Sequence, residues 1–260
     1  LLLDEREYHQ KKLQNLVIEQ LFSSDLNKWY YLGSQKTIES KTDLNGLLTE
    51  ICETAYSKTP ILKNELINKE FLSTPINTAR RNLFRKLLDQ SSEQSLGYVD
   101  EKFPPDKAIY MSLLRNTGIH KKNKDLNSYE LSKPPKDSPL IDVWERCDEF
   151  LTSSVSIKRS LVELYEILLE APFKLKKGLV EFLIPIYLIS KQEDLALFHK
   201  EKGFIPYMDE DTLAYIHKTP SSFQIKSYNV SGLKINLLEG YKELVNSSDS
   251  HQPGRRTTFL

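Results

Sequence analysis

The stretch 157–208 constrains the fold more than any other part of the chain. Leu161, Leu164, Tyr165, Leu168 and Leu169 recur at helical spacing, and Pro172 stops that helix. A turn with Lys174, Lys176 and Lys177 follows, and Gly178 opens a second, strongly apolar segment that reaches Ile189. Two strand-like runs, Leu195–His199 and Phe204–Met208, are hinged on Lys200, Glu201, Lys202 and Gly203. Helix, turn, helix and β-hairpin are the ingredients of a winged helix, an architecture that serves nucleic-acid contact, protein contact or scaffolding.

The preceding half reads as helical. Residues 4–22 place Leu13, Leu16, Val17, Gln20 and Leu21 on one stripe, the pattern of a docking helix. Asn27–Leu32 is an aromatic patch ending at Gly33, where Trp29, Tyr30 and Tyr31 suit a strand or core, with base stacking as the alternative. Asp43 is the expected cap of a helix carrying Leu44, Leu47, Leu48, Ile51 and Ala55, and Ile61–Lys69 is expected as a short helix. Ser73 or Thr74 caps the next helix, with Pro75 in its first turn. Ile76, Ala79, Leu83, Leu87 and Leu88 mark its buried side, and its other face holds Arg80, Arg81, Arg85 and Lys86. Three helices with a tight turn before the last resemble a helix-turn-helix core.

A further helix led by Pro105 and Asp106 is expected to end at Gly118. Residues 119–140 are rich in lysine and proline, lack an apolar period and read as a linker. A helix with a core Trp144 follows, then the winged-helix block and a short helix behind Asp209, Glu210 and Asp211. Phe223–Tyr228 and Val230–Ile235 are expected to pair as strands, and Leu237–Val245 as a closing helix. The expected fold is mainly α with small β-hairpins, helix-turn-helix-like in its N-terminal half and winged-helix-like in its C-terminal half. The expected divisions are 1–118, a linker 119–140, 141–246, and a disordered tail 247–260.

Charge narrows the partners. Lysine plus arginine and aspartate plus glutamate each number 36, so no global field draws the chain to DNA or an anionic membrane. Any nucleic-acid contact must come from a local patch. Cys52 and Cys147 lie far apart without metal-ligand spacing, and both are expected as buried thiols in a reducing, cytoplasmic setting. The opening leucines run at once into Asp4, Glu5 and Arg6, unlike a signal peptide, and Leu179–Ile189 is too short to span a bilayer. No membrane partner is expected. The first residue is not methionine, and the reading is of a piece of a longer polypeptide.

Catalytic signatures are scarce. Gly33–Thr37 ends like a phosphate-binding loop but lacks its first glycine and preceding strand. His9, His120, His199, His217 and His251 have no ligand spacing. Pro105-Asp106 could open a nuclease site, yet no acid-x-lysine triplet follows it. Asp209–Asp211 reads as a helix-start charge cluster, and Glu163 as solvated. Positive charge remains. Arg80, Arg81, Arg85 and Lys86 on the first frame, and Lys174, Lys176, Lys177, Lys200 and Lys202 on the second, are the candidate DNA contacts, through phosphates and base edges.

Thr59–Lys86 reads TPILKNELINKEFLSTPINTARRNLFRK, Phe103–His120 reads FPPDKAIYMSLLRNTGIH, and Ala171–Met208 contains APFKLKKGLVEFLIPIYLI and LALFHKEKGFIPYM. Together these resemble the region beyond the P-loop domain in large bacterial ATP-binding proteins linked to anti-phage defence clusters, over about residues 44–244. The resemblance implies a non-catalytic helical and winged-helix part of a defence ATPase, meeting other domains or subunits of its complex. It gives Arg80 a second candidate role, sensing the γ-phosphate of ATP from an early helical position. No phosphate loop or acidic metal-binding strand end is present, so ATP is expected in the parent protein and no cofactor in this chain. The expected function is a nucleic-acid-binding or assembly module of such an ATPase. The alternative is a protein-interaction scaffold whose basic faces are only solvated.

Overall fold

The structure is a computed structural model that describes residues 2–22, 27–99, 101–123 and 127–228. It is mainly α with small antiparallel β elements, with eight α-helices and eight short strands among the described residues. The chain divides into two compact units, one ending at Ser57 and the other starting at Lys58. No described helix is long and apolar enough to cross a membrane.

The first unit holds α1 (Leu2–Phe22), a hairpin of β1 (Trp29–Tyr31) and β2 (Ser34–Lys36), and α2 (Lys41–Ala55). Leu32 and Gly33 turn the hairpin with φ of 48° and 76°, the two positive angles that match the twist of paired strands. Trp29 stacks on Phe22 with ring centroids 6.3 Å apart, which ties the hairpin to the end of α1. The cap of α2 is Ser40, not Asp43 as expected. Ser40 Oγ accepts from the Asp43 N–H at 3.2 Å, while the Asp43 carboxylate reaches back to the Glu39 N–H at 3.2 Å. That reciprocal pair satisfies donors that the helix start leaves open. Leu13, Leu16, Val17 and Leu21 on α1 are all exposed. Cys52 is exposed too, contrary to the expected buried thiol, because α2 buries none of its residues.

The second unit starts with a segment expected as a helix at 61–69, which instead forms turns. Asn64 accounts for this. Its Oδ1 accepts from the Leu66 N–H at 2.9 Å, a local bond that competes with the helical ladder, and its Nδ2 donates to Ser112 Oγ. Then come α3 (Thr74–Asp89), with Ser73 as cap and Pro75 in the first turn, and α4 (Pro105–Tyr110), which runs into a π-helical turn at Met111–Arg115. Gly118 leaves that turn with φ of 74°. Residues 119–140 carry the hairpin of β3 (His120–Lys122) and β4 (Tyr129–Leu131), and Ile119 and Leu140 belong to the hydrophobic core.

Next are α5 (Ile141–Ser153), β5 (Arg159–Ser160), α6 (Leu161–Leu169), α7 (Lys177–Ser190), β6 (Leu195–His199), β7 (Gly203–Ile205), α8 (Glu210–Ile216) and β8 (Phe223–Ser227). Four strands form an antiparallel sheet in the order β5-β8-β6-β7. Ser160 and Glu163 form a capping box at the start of α6, and Arg159 also binds the Glu163 carboxylate, so Glu163 has a structural task beyond solvation. One core joins Leu83 and Phe84 of α3, Leu113, Trp144, Leu164, Phe182 and Tyr187 of the helices, and Leu197 and Ile225 of the sheet. Helix α7 lies at its centre, with every residue from Gly178 to Ile189 buried, as an all-round apolar helix requires. Gly178 makes the entry possible. Its N–H donates to Lys69 O at 2.8 Å, and a Cβ there would stand 2.7 Å from that same oxygen. The expected strand Val230–Ile235, helix Leu237–Val245 and tail 247–260 lie outside the described residues.

Candidate functional site

Of the expected basic face of α3, one cation is buried and the others are engaged at the surface or half-buried. Arg80 is 2% exposed, and its Nη1 donates to the Glu181 carboxylate of α7. Its Nη2 lies 2.8 Å from His217 Nε2. A guanidinium only donates, so that ring nitrogen accepts and His217 is neutral there. Burial, then the charges of Arg80, Lys218 and Lys177, push the His217 pKa down to about 4. Burial also lowers the pKa of Arg80 against the opposing pull of Glu181. Arg80 Nε and the Tyr165 hydroxyl are buried and without hydrogen-bond partners among the described residues. The tyrosine is held neutral, its pKa raised by burial and by Glu181.

Arg81 and Arg85 face outward but are neutralised by the start of α8. Arg81 donates to Glu210 and Asp211, each at 3.0 Å, and Arg85 donates to Glu210 at 2.7 Å. Those hydrogen bonds hold the Glu210 carboxyl below its ordinary pKa. The acidic run read as a helix-start cluster therefore does two things: Asp209 caps α8 by accepting from the Thr212 N–H at 2.7 Å, and its neighbours cover the arginines. Lys86 donates to Gln90 at 2.8 Å and to Leu96 O at 3.1 Å, with its ammonium above the Tyr98 ring. The four basic side chains of α3 are thus all engaged with groups of their own unit.

The second basic group is placed differently. Lys174 and Lys176 are exposed in the α6–α7 turn, and Lys177, the first residue of α7, is half-buried. Lys200 and Lys202 are exposed at the tip of the β6–β7 hairpin. His199 shapes that tip, its Nδ1 accepting from the Glu201 N–H at 3.2 Å and the Lys202 N–H at 3.3 Å.

Comparison with protein-family models, curated proteins and solved structures finds no match for this chain.

The sheet beside the hairpin has two unlike faces, because side chains alternate along each strand. Leu195 and Leu197, Phe223 and Ile225 are buried toward the core. On the opposite face the pairing sets half-buried Phe198 beside Phe204 and Gln224, and Ala196, which is covered on this side too, beside half-buried Lys226. Phe198 and Phe204 have ring centroids 5.6 Å apart, and the Lys158 ammonium stands 3.6 Å from the Phe198 centroid. Lys158 and Lys226 carry little signal in the sequence, since neither belongs to a cluster of three or more cations. Glu181 left a clearer trace as the lone acid of the apolar stretch Leu179–Ile189, where a buried carboxylate needs a partner.

Proposed function

We propose that this chain is a nucleic-acid-contacting assembly module of a larger P-loop ATPase in bacterial phage defence. It makes its contacts through the β6–β7 hairpin rather than through helix α3. The order α5, β5, α6, α7, β6, β7 supports a winged-helix reading in which the hairpin serves as the wing, with β8 inserted between β5 and β6. One observation carries the reading: Lys200 and Lys202 project from the hairpin tip as exposed cations, whereas the α3 cations are engaged elsewhere. Helix α7, which in a DNA-reading winged helix would enter the groove, is enclosed along Gly178–Ile189, so contact falls to the wing and the sheet beside it. Arg80 as a nucleotide sensor would require its release from Glu181. Fluorescence anisotropy of the purified chain with labelled oligonucleotides at two salt concentrations tests the proposal. Salt-sensitive binding that weakens in Lys200→Gln/Lys202→Gln supports it; no binding at low salt overturns it.

The exposed stripe Leu13, Leu16, Val17 and Leu21 on α1 favours a second reading, a protein-interaction scaffold. Leu13→Glu/Val17→Glu would then abolish co-assembly with a partner chain and leave oligonucleotide affinity untouched.

A further inference from the structure

The outer face of the four-stranded sheet has the composition of a base-stacking platform. We infer that it binds single-stranded nucleic acid, with bases on Phe198 and Phe204 and the sugar-phosphate strand on Lys158, Lys226, Lys200 and Lys202. This inference rests on the reading that the chain contacts nucleic acid, and it names the form of nucleic acid and the residues.

Three observations converge on the same face. The rings of Phe198 and Phe204 are cross-strand neighbours with centroids 5.6 Å apart and planes 56° apart, and both are half-buried from below. Two tilted rings receive two splayed bases more readily than the continuous stack of a duplex, whose base faces are already covered. The face of Phe198 already holds a cation, Lys158 Nζ at 3.6 Å. A base laid on that ring displaces the exposed lysine, whose flexible stem lets the ammonium move to the adjoining phosphate. Charge complements the rings. Lys226 lies on this face beside Ala196, and Lys200 and Lys202 extend it at the hairpin tip. The neighbouring acids sit at the two ends, Glu201 at the tip and Glu193 and Asp194 just before β6. The central strip between them is aromatic and basic, the pairing that gives sequence-tolerant binding of single strands.

The test uses the full chain and fluorescein-labelled strands of about 15 nucleotides, oligothymidylate and oligouridylate, with a duplex of equal length. Single strands are expected to bind more tightly than the duplex. Phe198→Leu and Phe204→Leu, which keep an apolar side chain but remove the ring, should each weaken single-strand binding about tenfold. Lys158→Gln and Lys226→Gln should each reduce the slope of log affinity against log salt by about 0.7. Lys158 is exposed, so its variant remains decisive even if a leucine variant lowers the melting temperature. Oligothymidylate against oligouridylate separates DNA from RNA. Duplex preference, or parent-like affinity in the Phe198→Leu/Phe204→Leu chain, overturns the platform while leaving a duplex-binding wing in place. Failure to bind any strand overturns both this inference and the function on which it rests.

Discussion

Arg80 and Glu181 stand 101 residues apart in the chain and meet as an ion pair with almost no access to water. The pair joins α3 to α7 and so anchors α3 to the centre of the core. Charges taken out of water in this way are costly unless matched, and the asymmetry is testable. Glu181→Ala, which strands the guanidinium, should cost about 3–5 kcal/mol in urea unfolding. Arg80→Met/Glu181→Leu should restore stability to within about 1–2 kcal/mol of the parent or exceed it. A double variant as unstable as the single one would show that the pair does more than satisfy itself.

The entry to α7 predicts a second sensitivity. At Gly178 a Cβ would lie 2.7 Å from Lys69 O, 2.8 Å from Ile67 O and 2.6 Å from a Leu72 methyl. Two of those atoms are backbone and cannot rotate away. Gly178→Ala should therefore destabilise by about 1–3 kcal/mol despite alanine's better helix propensity. Differential scanning calorimetry of this variant beside Gly46→Ala, where nothing lies within 4 Å, isolates the steric cost.

Glu210 sets how much of the α3 charge reaches solvent. Removing it with Glu210→Ala takes both bonds from Arg85 and leaves Arg81 only its bond to Asp211. The variant should elute later from heparin, while its melting temperature stays near the parent's because these arginines are surface groups. Unchanged heparin retention would mean that Glu210 does not mask the arginines.

Acid should loosen this unit before its carboxylates titrate. His217 has its pKa lowered to about 4, and His120 is lowered by burial, so the unfolded chain takes up protons that the folded one refuses. The stability due to each is complete above the ordinary histidine pKa of about 6.5 and is lost as pH falls toward the folded value. For His120 the geometry agrees. Its Nε2 donates to Ser91 O at 2.8 Å and its Nδ1 lies 2.9 Å from the Tyr110 hydroxyl, a neutral arrangement. Urea midpoints should be flat above pH 7 and decline from about 6.5 toward 4. His217→Gln keeps an acceptor for Arg80 and should flatten part of that decline. Glu210 and Glu163, both depressed, add a separate loss at lower pH.

Local signals made most elements legible. The spacing of Leu161, Leu164, Tyr165 and Leu168, the stop at Pro172 and the run to Ile189 mark α6 and α7 closely, because apolar period and breakers act within one element. The Lys200–Gly203 hinge likewise marks the β6–β7 hairpin. What escaped reading depends on distant partners. Arg80 has the helical phase of a buried neighbour, Ile76 and Leu83 flanking it, yet only Glu181 and His217 from other helices make that position tolerable for an arginine. Strand β8 lies between β5 and β6, a placement made by the sheet as a whole and not by any signal within the strand. Asn64 shows the opposite limit, one side chain replacing an expected helical turn.

The contrast between the two thiols turns the chain into its own reporter. Cys52 is open to solvent, while Cys147 is enclosed in α5 with its pKa raised by burial, so a maleimide dye at neutral pH should label the first at once. Labelling of the second then records the opening of the core itself, one event per molecule, without an introduced probe.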